Sequence, residues 1–154
     1  MSLIFDTHAH YDDEAFDADR ETLLASMPEH GVGRILDPGC DLESSRRAVE
    51  LARTYPHVYA AVGWHPENCA PYTEDSLDAL RAWAREPKVV AIGEIGLDYY
   101  WEQNPPRELQ QRVLRDQLAL AQELDLPVIV HDREAHADSL AICLLYTSPS
   151  PRDS

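Results

Sequence analysis

Leu3-Ile4-Phe5-Asp6-Thr7-His8-Ala9-His10 is the stretch from which the fold is read. Three apolar residues give way to an acid and a hydroxyl, and then two histidines stand two positions apart. In an extended chain alternate side chains share a face, so His8 and His10 point the same way. At the end of a buried parallel strand that direction opens onto the face where α/β proteins hold ligands. Two imidazole nitrogens placed there make half of a metal site. Taken alone, the pair also fits a strand that simply ends in polar histidines. Whether later strands end in ligands as well decides between the two.

Beyond an acidic loop, Leu23, Leu24 and Met27 stripe a helix over about 17–30, with Gly31 and Gly33 as its stop. A strand over 34–37 ends at Pro38-Gly39, and Asp41 caps a helix that turns Val49 and Ala52 inward and halts at Tyr55-Pro56. A third strand, 58–62, runs into Gly63-Trp64-His65-Pro66. Thr73 then caps a helix bearing Leu77, Leu80 and Ala84, which Pro87 closes. A fourth strand, 89–92, enters Gly93-Glu94-Ile95-Gly96-Leu97-Asp98. After Asn104-Pro105-Pro106 the longest helix is marked by Leu109, Val113, Leu114, Leu118 and Ala121. Pro127 introduces a fifth strand, 128–130, that ends at His131. Strands and helices alternating every 30 residues or so are βαβ units, which build a parallel sheet with its ligands at the carboxyl ends of the strands.

The chain has 154 residues, and its formal charge of −15 follows from 13 basic and 28 acidic side chains. That field repels phosphate and argues against a broad duplex-gripping surface or an anionic-membrane patch. Cys40, Cys69 and Cys143 are odd in number and form no C-x-x-C pair, so neither a disulfide framework nor a zinc knuckle is expected. No signal peptide or membrane span is read, and a reducing, cytoplasmic setting is expected. From Leu144 the chain reads LLYTSPSPRDS, with Pro149 and Pro151 where a helix should continue. Residues 144–154 are therefore expected to be a disordered, non-native tail, with the preceding helix fraying at about 142–145.

His8 and His10 close the first strand, Glu94 follows the fourth, and His131 closes the fifth. Parallel strands bring such ends onto one rim, and imidazoles with a carboxylate suit zinc, manganese or magnesium. A carboxylate has two oxygens and can bridge a pair of ions, whose charge would offset the acidity of the chain. His65 is read as equally structural or substrate-facing. Asp98 and Arg133 lie near the rim, and Arg133 can clamp a phosphate or pair with an acid. Tyr99, Tyr100 and Trp101 can stack on bases or pack. His30, His57 and His136 are assigned no role.

Four motifs, DTHAHYD (6–12), GWHPE (63–67), AIGEIGLDYY (91–100) and PVIVHDR (127–133), together resemble the TatD family of metal-dependent deoxyribonucleases in order and spacing. The resemblance covers about 3–140. It implies an α/β fold, a TIM-type (β/α) barrel of which about five parallel units are present, unclosed, over residues 1–143. It implies a centre of two divalent ions in which His8 and His10 hold one, Glu94 bridges and His131 holds the other. Glu94 is the expected catalytic residue, with His65 and Arg133 as substrate contacts and DNA, single-stranded or at its ends, as partner. The family's further ligands, a His after the sixth strand and an Asp of a Glu-Thr-Asp-type motif, do not occur in this chain. The alternatives are an amidohydrolase or lactonase acting on a small carbonyl compound, and a metal-binding fragment without turnover. An unclosed barrel is also expected to expose interior residues, Ile4, Val62, Ile92 and Ile129, and to self-associate.

Overall fold

Five parallel strands hydrogen-bond in chain order: β1 (Ile4–Asp6), β2 (Val32–Pro38), β3 (Val58–Val62), β4 (Val89–Asp98) and β5 (Val128–Arg133). The computed structural model describes residues 2–146. Helices α1 (Arg20–Ser26), α2 (Leu42–Thr54), α3 (Glu74–Trp83), α4 (Arg107–Leu124) and α5 (His136–Leu144) follow their strands in turn. The sheet curls as part of a barrel wall, with β1 and β5 at its two edges.

Local chemistry sets the helix boundaries. Asp41 accepts from the Ser44 amide at 2.8 Å while the Ser44 hydroxyl accepts from the Asp41 amide at 3.0 Å, a reciprocal cap that starts α2. The Thr73 amide likewise reaches the Ser76 hydroxyl at 3.2 Å at the start of α3. α4 begins directly after Pro105-Pro106 and ends at Asp125, which takes the left-handed conformation. The expected helix over 17–30 is shorter. It ends at Ser26 and passes into a 3-10 turn at Met27–His30, where Pro28 supplies no amide. Gly31, with φ of 89°, closes that turn.

Most of the core lies between the sheet and the helices, where Leu24, Ile35, Val49, Leu80, Ile95 and Leu114 are buried. Val62 and Ile92 belong to this layer and are fully buried, which corrects their assignment to the barrel interior. Alternation along the strands places Leu36, Ala61 and Ala91 on the opposite, concave face with Tyr59, Val90 and Ile129 packed against them. Within the sheet, the exposed apolar side chains are at its edges: Leu3, Ile4 and Phe5 are 65%, 62% and 50% exposed on β1 and just before it, and Val130 is half-exposed on β5. Leu144 is the last residue of α5, and Leu145 and Tyr146 follow in a turn. The remainder of the expected tail lies outside the described residues.

The fourth strand differs most from expectation, because it continues through Gly93-Glu94 to Asp98 instead of stopping at Ile92. Its glycines serve close approach. Gly96 has a φ of 147° and the backbone of His131 occupies the space that a Cβ would need. That contact sets β4 and β5 in register, pairing Gly96 with His131 and Asp98 with Arg133. β5 correspondingly runs on to Arg133.

Candidate metal centre

His8, His10, Glu94 and His131 meet at the carboxyl rim of the sheet. The Glu94 carboxylate, nearly buried, directs its two oxygens to different partners. Oε2 lies 3.0 Å from His8 Nε2 and 3.6 Å from His10 Nε2. Oε1 lies 3.4 Å from His131 Nδ1 and 3.7 Å from His65 Nε2. Two clusters of candidate donor atoms result, His8–His10–Glu94 and His65–Glu94–His131, with Glu94 common to both. A third group of the kind, His10–Asp12–Asp37, shares His10 with the first.

The spacing of the first group fits an ion. His8 Nε2 and His10 Nε2 stand 3.1 Å apart. Metal–ligand bonds near 2.1 Å put neighbouring donors about 3.0 Å apart in an octahedron and about 3.4 Å apart in a tetrahedron. Two imidazoles and a carboxylate at such separations also form the donor set of zinc, manganese and magnesium sites.

Hydrogen bonds on the far sides of the rings determine which nitrogen faces the centre. His131 Nε2 donates to Asp98 Oδ2 at 2.9 Å, so a neutral His131 turns the Nδ1 lone pair toward Glu94. His65 is set the other way. Its Nδ1 accepts from the Glu67 amide at 3.1 Å, which puts the proton of the neutral ring on Nε2. His65 therefore presents a donor to Glu94 and the space around it, and not a ligand lone pair.

The electrostatics agree. Burial pushes the His65 imidazole down to about 4, keeping it neutral. The hydrogen bond with Glu94 outweighs burial to raise both His10 and His131, the latter helped by Asp98. Burial alone would raise Glu94, but its bonds with His10 and His131 and the neighbouring His65 and His8 hold its carboxyl well below the usual range. Glu94 is thus an anion, the form in which a carboxylate binds a metal.

Two buried glutamines on α4 fasten the loops that carry these groups. Gln117 accepts from the Trp64 amide at 2.7 Å and donates to the Trp64 carbonyl at 3.2 Å, fixing the segment before His65. Gln110 accepts from the Asp98 amide at 2.9 Å and donates to its carbonyl at 3.0 Å, fixing the end of β4. The profile of the TatD-related DNase family matches residues 5–151.

The chain belongs to the TatD-related DNase family.

Among its relatives, the uncharacterized metal-dependent hydrolase YabD of Bacillus subtilis is 41% identical over 140 residues, covering 91% of this chain and 54% of YabD. The 3'-5' ssDNA/RNA exonuclease TatD of Cronobacter turicensis is 40% identical, over 90% of this chain and 52% of that protein. The crystal structure of the TatD homologue YjjV from Escherichia coli superposes with a TM-score of 0.85 at 36% identity, covering 97% of this chain and 62% of YjjV. The chain spans about half the length of the curated relatives it matches. No helix among the described residues is long and apolar enough to cross a membrane.

Within this TatD-type site, all six residues singled out for ligation or substrate lie at the rim, but Arg133 lies outside the cluster. Its guanidinium rests on the Tyr100 ring, with Cζ 3.9 Å from the centroid. Asp98, placed only near the rim by sequence, proves to be the partner that orients His131. Its signal was the adjacency of an acid to a strand end, which the pairing of β4 with β5 makes specific. Asp12, Asp37, Gln110 and Gln117 carried no such signal.

Proposed function

We propose that this chain carries the metal centre of a nuclease that hydrolyses DNA phosphodiesters, single-stranded or at strand ends, with two divalent ions of zinc, magnesium or manganese. One observation carries the reading: the two oxygens of Glu94 face separate histidine sets, His8 with His10 and His131 with His65. Such a carboxylate is suited to bridge a pair of ions. Bound there, the pair would supply a water of lowered pKa and positive charge for a phosphoryl oxygen.

The chain's own groups do the rest. His8, His10 and His131 would hold the ions, with Asp98 keeping the His131 Nδ1 lone pair inward. His65, neutral and protonated on Nε2, donates a hydrogen bond toward the reacting oxygen atoms without adding charge. Arg133 contributes a guanidinium beside the centre for a non-bridging phosphate oxygen. Concentrated cationic charge at the rim reconciles an anionic substrate with a chain of net charge −15. The Cronobacter relative, named as a 3'-5' ssDNA/RNA exonuclease, supports a single-stranded substrate.

Manganese titration calorimetry should find two ions per chain, and Glu94→Ala should abolish tight binding of both. In a protein of the relatives' length, Glu94→Ala should abolish metal-dependent release of nucleotides from single-stranded DNA. Undiminished activity, or hydrolysis of esters or lactones with none of the oligonucleotide, overturns the reading.

A further inference from the structure

Beside the centre, Tyr100 and Trp101 stand on the loop that leaves β4, 50% and 43% exposed. Their rings meet edge to face, with centroids 4.6 Å apart at 87°. Arg133, from the end of β5, lies over both, with Cζ 3.9 Å from the Tyr100 centroid and 5.2 Å from that of Trp101. Among the described residues no carboxylate comes within ion-pair distance of this guanidinium, so its donors are unspent. Tyr99, the neighbour in sequence, is different. Its hydroxyl bonds Asp138 and Gln111, and Arg107 covers its ring. Of the three aromatics, Tyr99 packs while Tyr100 and Trp101 are left facing outward.

This ledge is tied to the metal centre through one side chain. Asp98 accepts from His131 Nε2 through Oδ2 at 2.9 Å and from the Tyr100 amide through Oδ1 at 3.0 Å. Asn104 Nδ2 donates to the same Oδ1 at 3.0 Å, which closes the loop around the ledge. The aromatic pair is therefore held at a set offset from the ligands, on the mouth of the site.

We infer that Tyr100, Trp101 and Arg133 form a nucleobase-stacking subsite, binding an unpaired nucleotide of a single-stranded substrate next to the scissile bond. The inference rests on the nuclease reading above and adds the mode of recognition. A base offers a flat π face to the exposed rings, and the adjoining phosphate offers acceptors to the unspent guanidinium. Stacking of this kind tolerates any base but needs it unpaired, since a duplex hides the faces of its bases. It also suits a chain of net charge −15, whose field opposes the paired phosphate backbones of a duplex.

The test compares binding of two nuclease-resistant phosphorothioate octamers, an oligothymidylate and its abasic counterpart, to the manganese-loaded protein by fluorescence anisotropy. The two strands carry the same charge and differ only in their bases. The wild type should prefer the thymidylate by about tenfold or more. Tyr100→Ala with Trp101→Ala should bind both strands equally, while Trp101→Phe should keep most of the preference. Arg133→Gln should weaken both strands to a similar degree. Equal affinity of the wild type for the two strands, or a preference that survives the double alanine variant, overturns the subsite and leaves the nuclease reading standing. Binding of neither strand removes both.

Discussion

Asp98→Asn tests the orientation of the centre without altering its volume. Asp98 is fully buried, and its Oδ1 takes two donors, the Tyr100 amide and Asn104 Nδ2, each at 3.0 Å. An asparagine at 98 must turn its amide oxygen to those donors, which leaves its NH2 where Oδ2 stood, 2.9 Å from His131 Nε2. Two donors cannot face each other, so His131 shifts its proton to Nδ1 and accepts at Nε2. Nδ1 then carries a hydrogen toward Glu94 Oε1, 3.4 Å away, which satisfies the metal-free protein but removes the lone pair that an ion requires. Loss of such a partner weakens metal binding by about 10- to 100-fold, about 1.4–2.7 kcal/mol. The metal-free melting temperature should stay close to the wild type's, because every polar group keeps a partner. Calorimetric titration with manganese, a metal-free thermal melt and a two-dimensional 15N spectrum of the histidine rings measure the three effects. Wild-type metal affinity together with an unchanged His131 tautomer would refute the reasoning.

Three further outcomes are expected. Gln117→Leu strips the buried Trp64 amide and carbonyl of their partner, and urea denaturation should register a loss of about 1–3 kcal/mol. Burial, with Asp12 beside it, raises the Asp37 carboxyl far above its ordinary 3.8. The folded chain then holds a proton that the unfolded chain releases above about pH 4, so this group costs stability increasingly as pH rises. Asp37→Asn should therefore stabilise more at about pH 8 than at about pH 5, and equal gains at both would discount the pair. The exposed β1 edge should drive concentration-dependent association in sedimentation velocity, reduced by Ile4→Lys; a wild type that stays monomeric at every concentration contradicts this.

The parallel sheet and the meeting of His8, His10, Glu94 and His131 at its rim were legible because their signals are local. Each ligand sits at or near the end of an apolar run, and a strand that ends in a ligand needs no knowledge of its neighbours to be recognised. Glycine misled at one point, since Gly93 and Gly96 mark turns in isolation, whereas in the sheet Gly96 admits the backbone of His131. Gly93 makes β4 appear to stop, and Gly96, three residues on, lets it pair onward to Asp98. The alternation on Val62 and Ile92 was equally ambiguous, because an apolar run buried on both faces does not announce which side meets the helices.

The orienting groups were hidden for a related reason. Gln110 and Gln117 look like the polar positions of an amphipathic helix, and only the packing of α4 against the strand ends turns them into buried amides that grip Asp98 and Trp64. The gain from such a group lies in the backbone it satisfies, and that backbone is 12 residues away in one case and 53 in the other. Residues that touch an ion must be of few types and so announce themselves. Those that aim the ligands need only one acceptor or donor in the right place. For this rim the aim matters as much as the ligand. His65 and His131 are the same residue type, both beside Glu94 Oε1, and opposite hydrogen bonds on their far sides make one a donor and leave the other a lone pair for an ion.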